Sequence, residues 1–101
     1  MPLNALDWLQ NWYRSQCNGK WERFHGVTIE TLDTPGWLVT IDTGGTKLEN
    51  ACMAKIRLER SKTDWVHCAV EHGKFSGEGD ASKLGFILLT FQDWVTKQSS
   101  G

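Results

Sequence analysis

Apolar residues recur along this chain with two different periods. Leu6, Leu9, Tyr13 and Cys17 fall at helical spacing, with Trp8 and Trp12 as an i, i+4 pair beside that stripe. Asn4 followed by Asp7 has the spacing of an N-cap with an acidic residue at its third position, and Asn18-Gly19 offers a left-handed stop, so residues 4–17 are expected to be helical. The period then changes to two. Val27 and Ile29, then Trp37, Val39 and Ile41, flank Asp33-Thr34-Pro35-Gly36, where Pro presets φ and Gly tolerates a tight turn. That pattern predicts a β-hairpin. Two more alternating segments follow, at residues 52–59 and 64–72, after a turn at Asp42-Thr43-Gly44-Gly45. A last stripe of Leu84, Ile87, Leu88, Phe91, Trp94 and Val95 gives a second helix one broad apolar face, capped by Asp80 or Ser82.

These elements predict an α+β fold: an antiparallel β-meander of four strands, or five if residues 46–49 pair, with an N-terminal and a C-terminal helix packed on one face. Residues 73–80 contain three glycines and are expected to be a loop, and residues 99–101 to fray. The 101 residues suit a single domain, ordered over about residues 4–97. Alternation sends Val27, Ile29, Trp37, Val39, Ile41, Ala54, Ile56, Leu58, Val66, Cys68 and Val70 toward the helices. The other face then carries Thr28, Glu30, Thr40, Asp42, Lys55, Arg57, Trp65, His67 and Glu71.

Charge narrows the classes of partner. Eleven Lys and Arg against twelve Asp and Glu leave a net charge of −1, without the basic excess that backbone phosphates attract, so no nucleic-acid partner is expected. No apolar run approaches the roughly 18 residues of a membrane span, and the first residues lack a charged leader with an apolar stretch behind it. Three widely spaced cysteines, Cys17, Cys52 and Cys68, fit reduced thiols. A cytoplasmic protein without membrane contact is the expectation.

Possible catalytic constellations are thin. His67, Cys68 and His72 suggest a thiol–imidazole or metal site, but neighbours on a strand point to opposite faces and the paired-ligand spacing of zinc sites is missing. Cys52 and Arg57 have the Cys-x-x-x-x-Arg spacing of a sulfurtransferase loop, although the intervening residues lack Gly and alternate like a strand. Gly77-Glu78-Gly79 ahead of a helix has a phosphate-turn look, opposed by the charges of Glu78 and Asp80. The carboxylate pairs Asp64 with Glu71 and Asp33 with Asp42 have no spacing that makes them converge. No catalytic residue, metal or cofactor is expected. Six Trp against one Tyr and four Phe stand out instead. Periodicity sends Trp37 and Trp94 to the core, leaves Trp8, Trp12 and Trp21 open between core and surface, and turns Trp65 outward among Arg57, His67 and Glu71. An aromatic anchor with a charged rim has the composition of a protein-binding hot spot.

Taken together, Leu6-Asp7-Trp8-Leu9-Gln10-Asn11-Trp12-Tyr13, Cys17-Asn18-Gly19-Lys20-Trp21-Glu22, Gly26-Val27-Thr28-Ile29, Thr31-Leu32-Asp33-Thr34-Pro35-Gly36-Trp37 and Asp64-Trp65-Val66-His67-Cys68-Ala69-Val70-Glu71 resemble the immunity protein 53 family. Ile41-Asp42, Arg60-Ser61 and Phe75-Ser76-Gly77 continue the resemblance, which departs from the family pattern at Asn18, Arg23 and Thr34. It implies a bacterial immunity protein of a polymorphic toxin system, whose partner is a cognate toxin domain bound stoichiometrically and whose action is occlusion of that toxin. On this reading Trp65, Arg57, His67, Glu71, Glu30 and Asp42 form the partner-binding face. Two rivals make different demands: a small thiol enzyme using Cys52, and a module stacking a small ligand on the Trp cluster.

Overall fold

The computed structural model describes residues 4–100, so residues 1–3, where a leader would begin, and Gly101 lie outside the described residues. In chain order the elements are α1 (Ala5–Gln16), α2 (Trp21–Phe24), β1 (Val27–Leu32), β2 (Gly36–Asp42), β3 (Met53–Ser61), β4 (Asp64–Glu71), β5 (Lys74–Gly79) and α3 (Leu84–Ser100). The strands form one antiparallel sheet in the order β1-β2-β5-β4-β3. The α+β class and the two terminal helices are as the periodicity predicts. The strand order adds a crossover that a plain meander lacks.

The Asn4 side chain accepts the Asp7 amide at 2.8 Å, satisfying one of the free donors at the start of α1. The helix ends at Gln16, two residues before the expected stop, and Cys17 is extended. Asn18 instead opens α2. Its side-chain oxygen accepts the amides of Lys20 and Trp21 at 3.0 Å each, while the Glu22 carboxylate accepts those of Asn18 and Gly19 at 2.9 and 2.8 Å.

Residues 73–80, expected as a loop, instead supply β5, the centre of the sheet, and residues 46–49 supply no strand. His72 and Gly73 both adopt positive φ, 52° and 74°, which is the backbone a two-residue hairpin turn demands. The glycines beyond them serve packing. A Cβ on Gly77 would collide with Ile87 of α3, and one on Gly79 would meet the Lys83 side chain at 2.7 Å. The central strand is therefore bare at Gly77, where Ile87 of α3 rests on it. A register shift between Met53 and Ile56 corrects a second expectation: Met53 packs against the core in place of Ala54, which is exposed.

Cross-strand pairing aligns Val27, Ile41, Phe75, Val70 and Met53 in one row beneath the helices, and Ile29, Val39, Gly77, Cys68 and Ile56 in the next. Val39, Ile41, Val66, Phe75, Ile87 and Phe91 are fully buried. Phe91 is the hub of the aromatic packing, with its ring centroid 5.1 Å from both Trp12 and Phe75, 5.9 Å from Trp8 and 6.0 Å from Trp94. Trp21 meets Trp12 edge-on at 6.1 Å and donates its indole N–H to the Gly44 carbonyl at 2.9 Å. Trp94 donates likewise to Cys52, and Trp37, half-buried at the rim, to Ala81, both at 2.9 Å. Trp12 and Trp21 thus join the helix-side core, and Trp8, half-buried, packs against it.

Candidate functional site

Because α1 and α3 pack on one side, the opposite face of the sheet is open. Pairing lines up Glu30, Leu38, Glu78, His67 and Arg57 across all five strands. Beside them run Thr28, Thr40, Ser76 and Ala69, and at the far end Asp42, Lys74 and Glu71. The short side chains of Ser76 and Ala69 form the floor of a shallow hollow of about 610 Å³, walled by Arg57, His67, Glu71 and Glu78. A second hollow of about 580 Å³ opens beside it, next to Trp65, Glu59 and Arg60.

Trp65 stands opposite Glu59 in the β3–β4 ladder, with its ring centroid 5.3 Å from that of His67. It is half-buried, and among the described residues no protein group accepts its indole N–H. Nε2 of His67 lies 2.7 Å from Oε1 of Glu59, and Nδ1 lies 3.5 Å from Oε1 of Glu78. The same Glu59 oxygen takes the Arg57 guanidinium at 3.0 Å. Hydrogen bonding from His67 first, and the Arg57 charge second, hold the Glu59 carboxyl below the usual carboxylate range. Exposed ion pairs of this kind contribute little to stability, so the cluster's effect is to orient side chains rather than hold the fold together.

The backbone beneath Trp65 is braced. Asp80, only 4% exposed, accepts the Trp65 amide at 2.7 Å, and its own amide donates to the Trp65 carbonyl at 3.1 Å. Lys83 places its ammonium 2.8 Å from both Asp80 and Asp64. Asp80 also accepts the Ser82 amide at 2.8 Å, closing the turn before α3 rather than capping the helix, whose first bonds run from Ile87 to the Lys83 carbonyl. Lys83 is the main reason that the Asp80 carboxyl is held far below its usual range.

Of the six residues expected to form the binding face, Trp65, His67 and Arg57 come together. Glu30 shares their row but stands on β1, across β2 and β5 from His67. Glu71 lies at the far end of β4, paired with Lys55 at 3.1 Å. Asp42 is mainly tied to the main chain: one carboxylate oxygen accepts the Gly26 amide at 2.9 Å, and Lys74 lies 3.8 Å away. Glu59 and Glu78, absent from the expected face, are integral to it. Glu59 follows from continuing the alternation of Lys55 and Arg57 by one step, whereas Glu78 falls in the glycine-rich segment whose composition points to a loop.

Among the described residues, neither of the two thiol arrangements suggested by spacing, His67 with Cys68 and Cys52 with Arg57, comes together. Cys68 is 2% exposed and burial pushes its thiol up to about 11, while His67 projects from the opposite face. Cys52 is exposed just ahead of β3, and Arg57 lies on the strand rather than on a loop around it.

No curated protein and no solved structure matches the chain at a significant level. The family model described as Immunity protein 53 matches residues 6–96, from the first turns of α1 through all five strands and into the last turns of α3. This chain therefore belongs to the immunity protein 53 family.

Proposed function

We propose that this chain is the immunity partner of a bacterial polymorphic toxin, a single cytoplasmic domain that binds its cognate toxin domain one to one and occludes it without turnover. The contact surface is the open sheet face, with Trp65 as anchor and His67, Arg57, Glu59 and Glu78 as its rim; Glu30, Glu71 and Asp42 lie at the periphery. The observation that carries this reading is the seat of Trp65. A large ring with a spare N–H stands on a face that neither helix covers, on backbone pinned by Asp80, and rigid amphipathic anchors of this kind concentrate binding energy.

The experiment is a titration with the cognate toxin domain, to be sought among the genes adjoining this one. Toxin activity should fall linearly and end at molar equivalence, with a one-to-one complex isolable by gel filtration. Complete inhibition at a small fraction of equivalence would mean catalysis, and protection without a complex would remove the binding mechanism.

A further inference from the structure

We propose that the outer edge of β1 is a homotypic interface, along which two copies of this chain pair antiparallel about a two-fold axis and continue the sheet from one copy into the other. The Asp42 amide donates to the Gly26 carbonyl at 3.0 Å, in register with the β1–β2 ladder. Residues 28, 30 and 32, in step with Gly26, therefore direct their main-chain groups to β2. Val27, Ile29 and Thr31 turn theirs outward, and among the described residues no strand meets them.

The two sheet edges differ in how they are guarded. β3, at the other edge, carries Lys55, Arg57, Glu59 and Arg60 and is interrupted by register shifts, which are devices that discourage further pairing. β1 is Val-Thr-Ile-Glu-Thr-Leu, with no Lys, no Pro, no bulge and a single charge. Its sequence is also self-complementary. Setting Ile29 against Ile29 matches Val27 with Thr31 and Thr28 with Glu30, and forms about six main-chain hydrogen bonds from the outward groups. Of the two neighbouring registers, one sets Glu30 directly against Glu30, like charge on like, and the other sets Thr28 against Thr28; within β1 each forms only about four such bonds. On the helix side of this edge Ile29 is 39% exposed and Leu6 60%, beside a hollow of about 320 Å³ lined by Leu9, Tyr13 and Val27, so a second copy would cover apolar surface as well as main chain.

Sedimentation velocity of the purified 101-residue chain, from low micromolar to several hundred micromolar, tests this without any toxin. The expected result is a weight-average mass rising toward twice the monomer value. Ile29→Pro should abolish the rise, because it removes an outward amide and leaves the β1–β2 hydrogen bonds intact; circular dichroism checks its fold. Thr28→Lys should tighten the dimer and Thr28→Glu weaken it, each by roughly three- to tenfold, since residue 28 meets Glu30 of the other copy twice across the axis. A monomer throughout the range overturns the proposal, as does a dimer that survives Ile29→Pro or responds alike to both charges at residue 28. A monomeric chain whose toxin affinity falls with Ile29→Pro also overturns it, and assigns the edge to a strand of the toxin.

Discussion

Ile87 of α3 rests directly on Gly77 of β5, with no space for a side chain between them. A methyl at residue 77 would also crowd the Phe75 ring, whose atoms would lie 3.3 Å from it. Gly77→Ala is expected to destabilise the fold by about 1–3 kcal/mol through overpacking, measured by urea denaturation. The double variant with Ile87→Ala should lose less than the sum of the single losses, because the truncated side chain makes room for the methyl. Strict additivity would mean that the two residues do not share the space.

The Asp80–Lys83–Asp64 brace makes a prediction about pH. Hydrogen bonds from Lys83 are the leading cause that lowers both Asp64 and Asp80. A carboxyl lowered on folding contributes stability that is complete above its unfolded value of about 3.9 and is lost as pH falls through the folded value. Lys83 is raised, chiefly by its hydrogen bond to Asp64, so its contribution is complete below about 10.4 and disappears as pH climbs through the raised value. Asp80→Asn should therefore be less stable than the parent at neutral pH, with the difference shrinking as the medium becomes strongly acid. Urea midpoints that stay parallel for the two proteins from about pH 5 to about pH 2 would exclude the brace as a source of acid sensitivity.

Trp65→Ala should weaken toxin binding by at least about 2 kcal/mol, roughly thirtyfold in Kd, by calorimetry. Glu30→Ala and Asp42→Ala, at the margin of the face, should change it far less. The fold should tolerate the loss of Trp65, since its ring stands outside the helix-side core. An unchanged Kd in a folded variant would move the contact surface elsewhere.

Thiol labelling separates binding from thiol chemistry. Cys52, exposed, should react first with a disulfide reagent in the native protein, whereas Cys68, buried and with its thiol held protonated, should react only after unfolding. Cys52→Ser should leave protection against the toxin intact. Loss of protection in that folded variant would revive the enzyme reading.

Period and capping make most elements legible in the sequence: the Asn4 cap, the β1–β2 hairpin and the stripe from Leu84 to Val95 all stand where spacing predicts them. β5 is the exception, and the cause is physical. Where a helix or its entry turn crosses a strand at close range the strand must give up side chains, so Gly77 and Gly79 continue the alternation begun by Phe75 in a form that propensity counts against strands. The hairpin signal that belongs to it is His72-Gly73. The shift after Met53 leaves no mark in the pattern, because Met53 and Ala54 are both apolar. Spacing alone does not place Trp8, Trp12 and Trp21 for a similar reason: their fate depends on Phe91, which lies far from them in sequence and meets two of them in space.

The strand order has a consequence for how the chain is made. β1–β2 and β3–β4 are two ribbons that touch no common partner until β5 slides between them, and β5 with α3 comes from the last part of the chain. A nascent chain halted before Lys74 has neither a closed sheet nor the Asp80 pin under Trp65. The open face is consequently completed late in synthesis: it comes into being only when the ribosome has released the segment that stitches the two ribbons together.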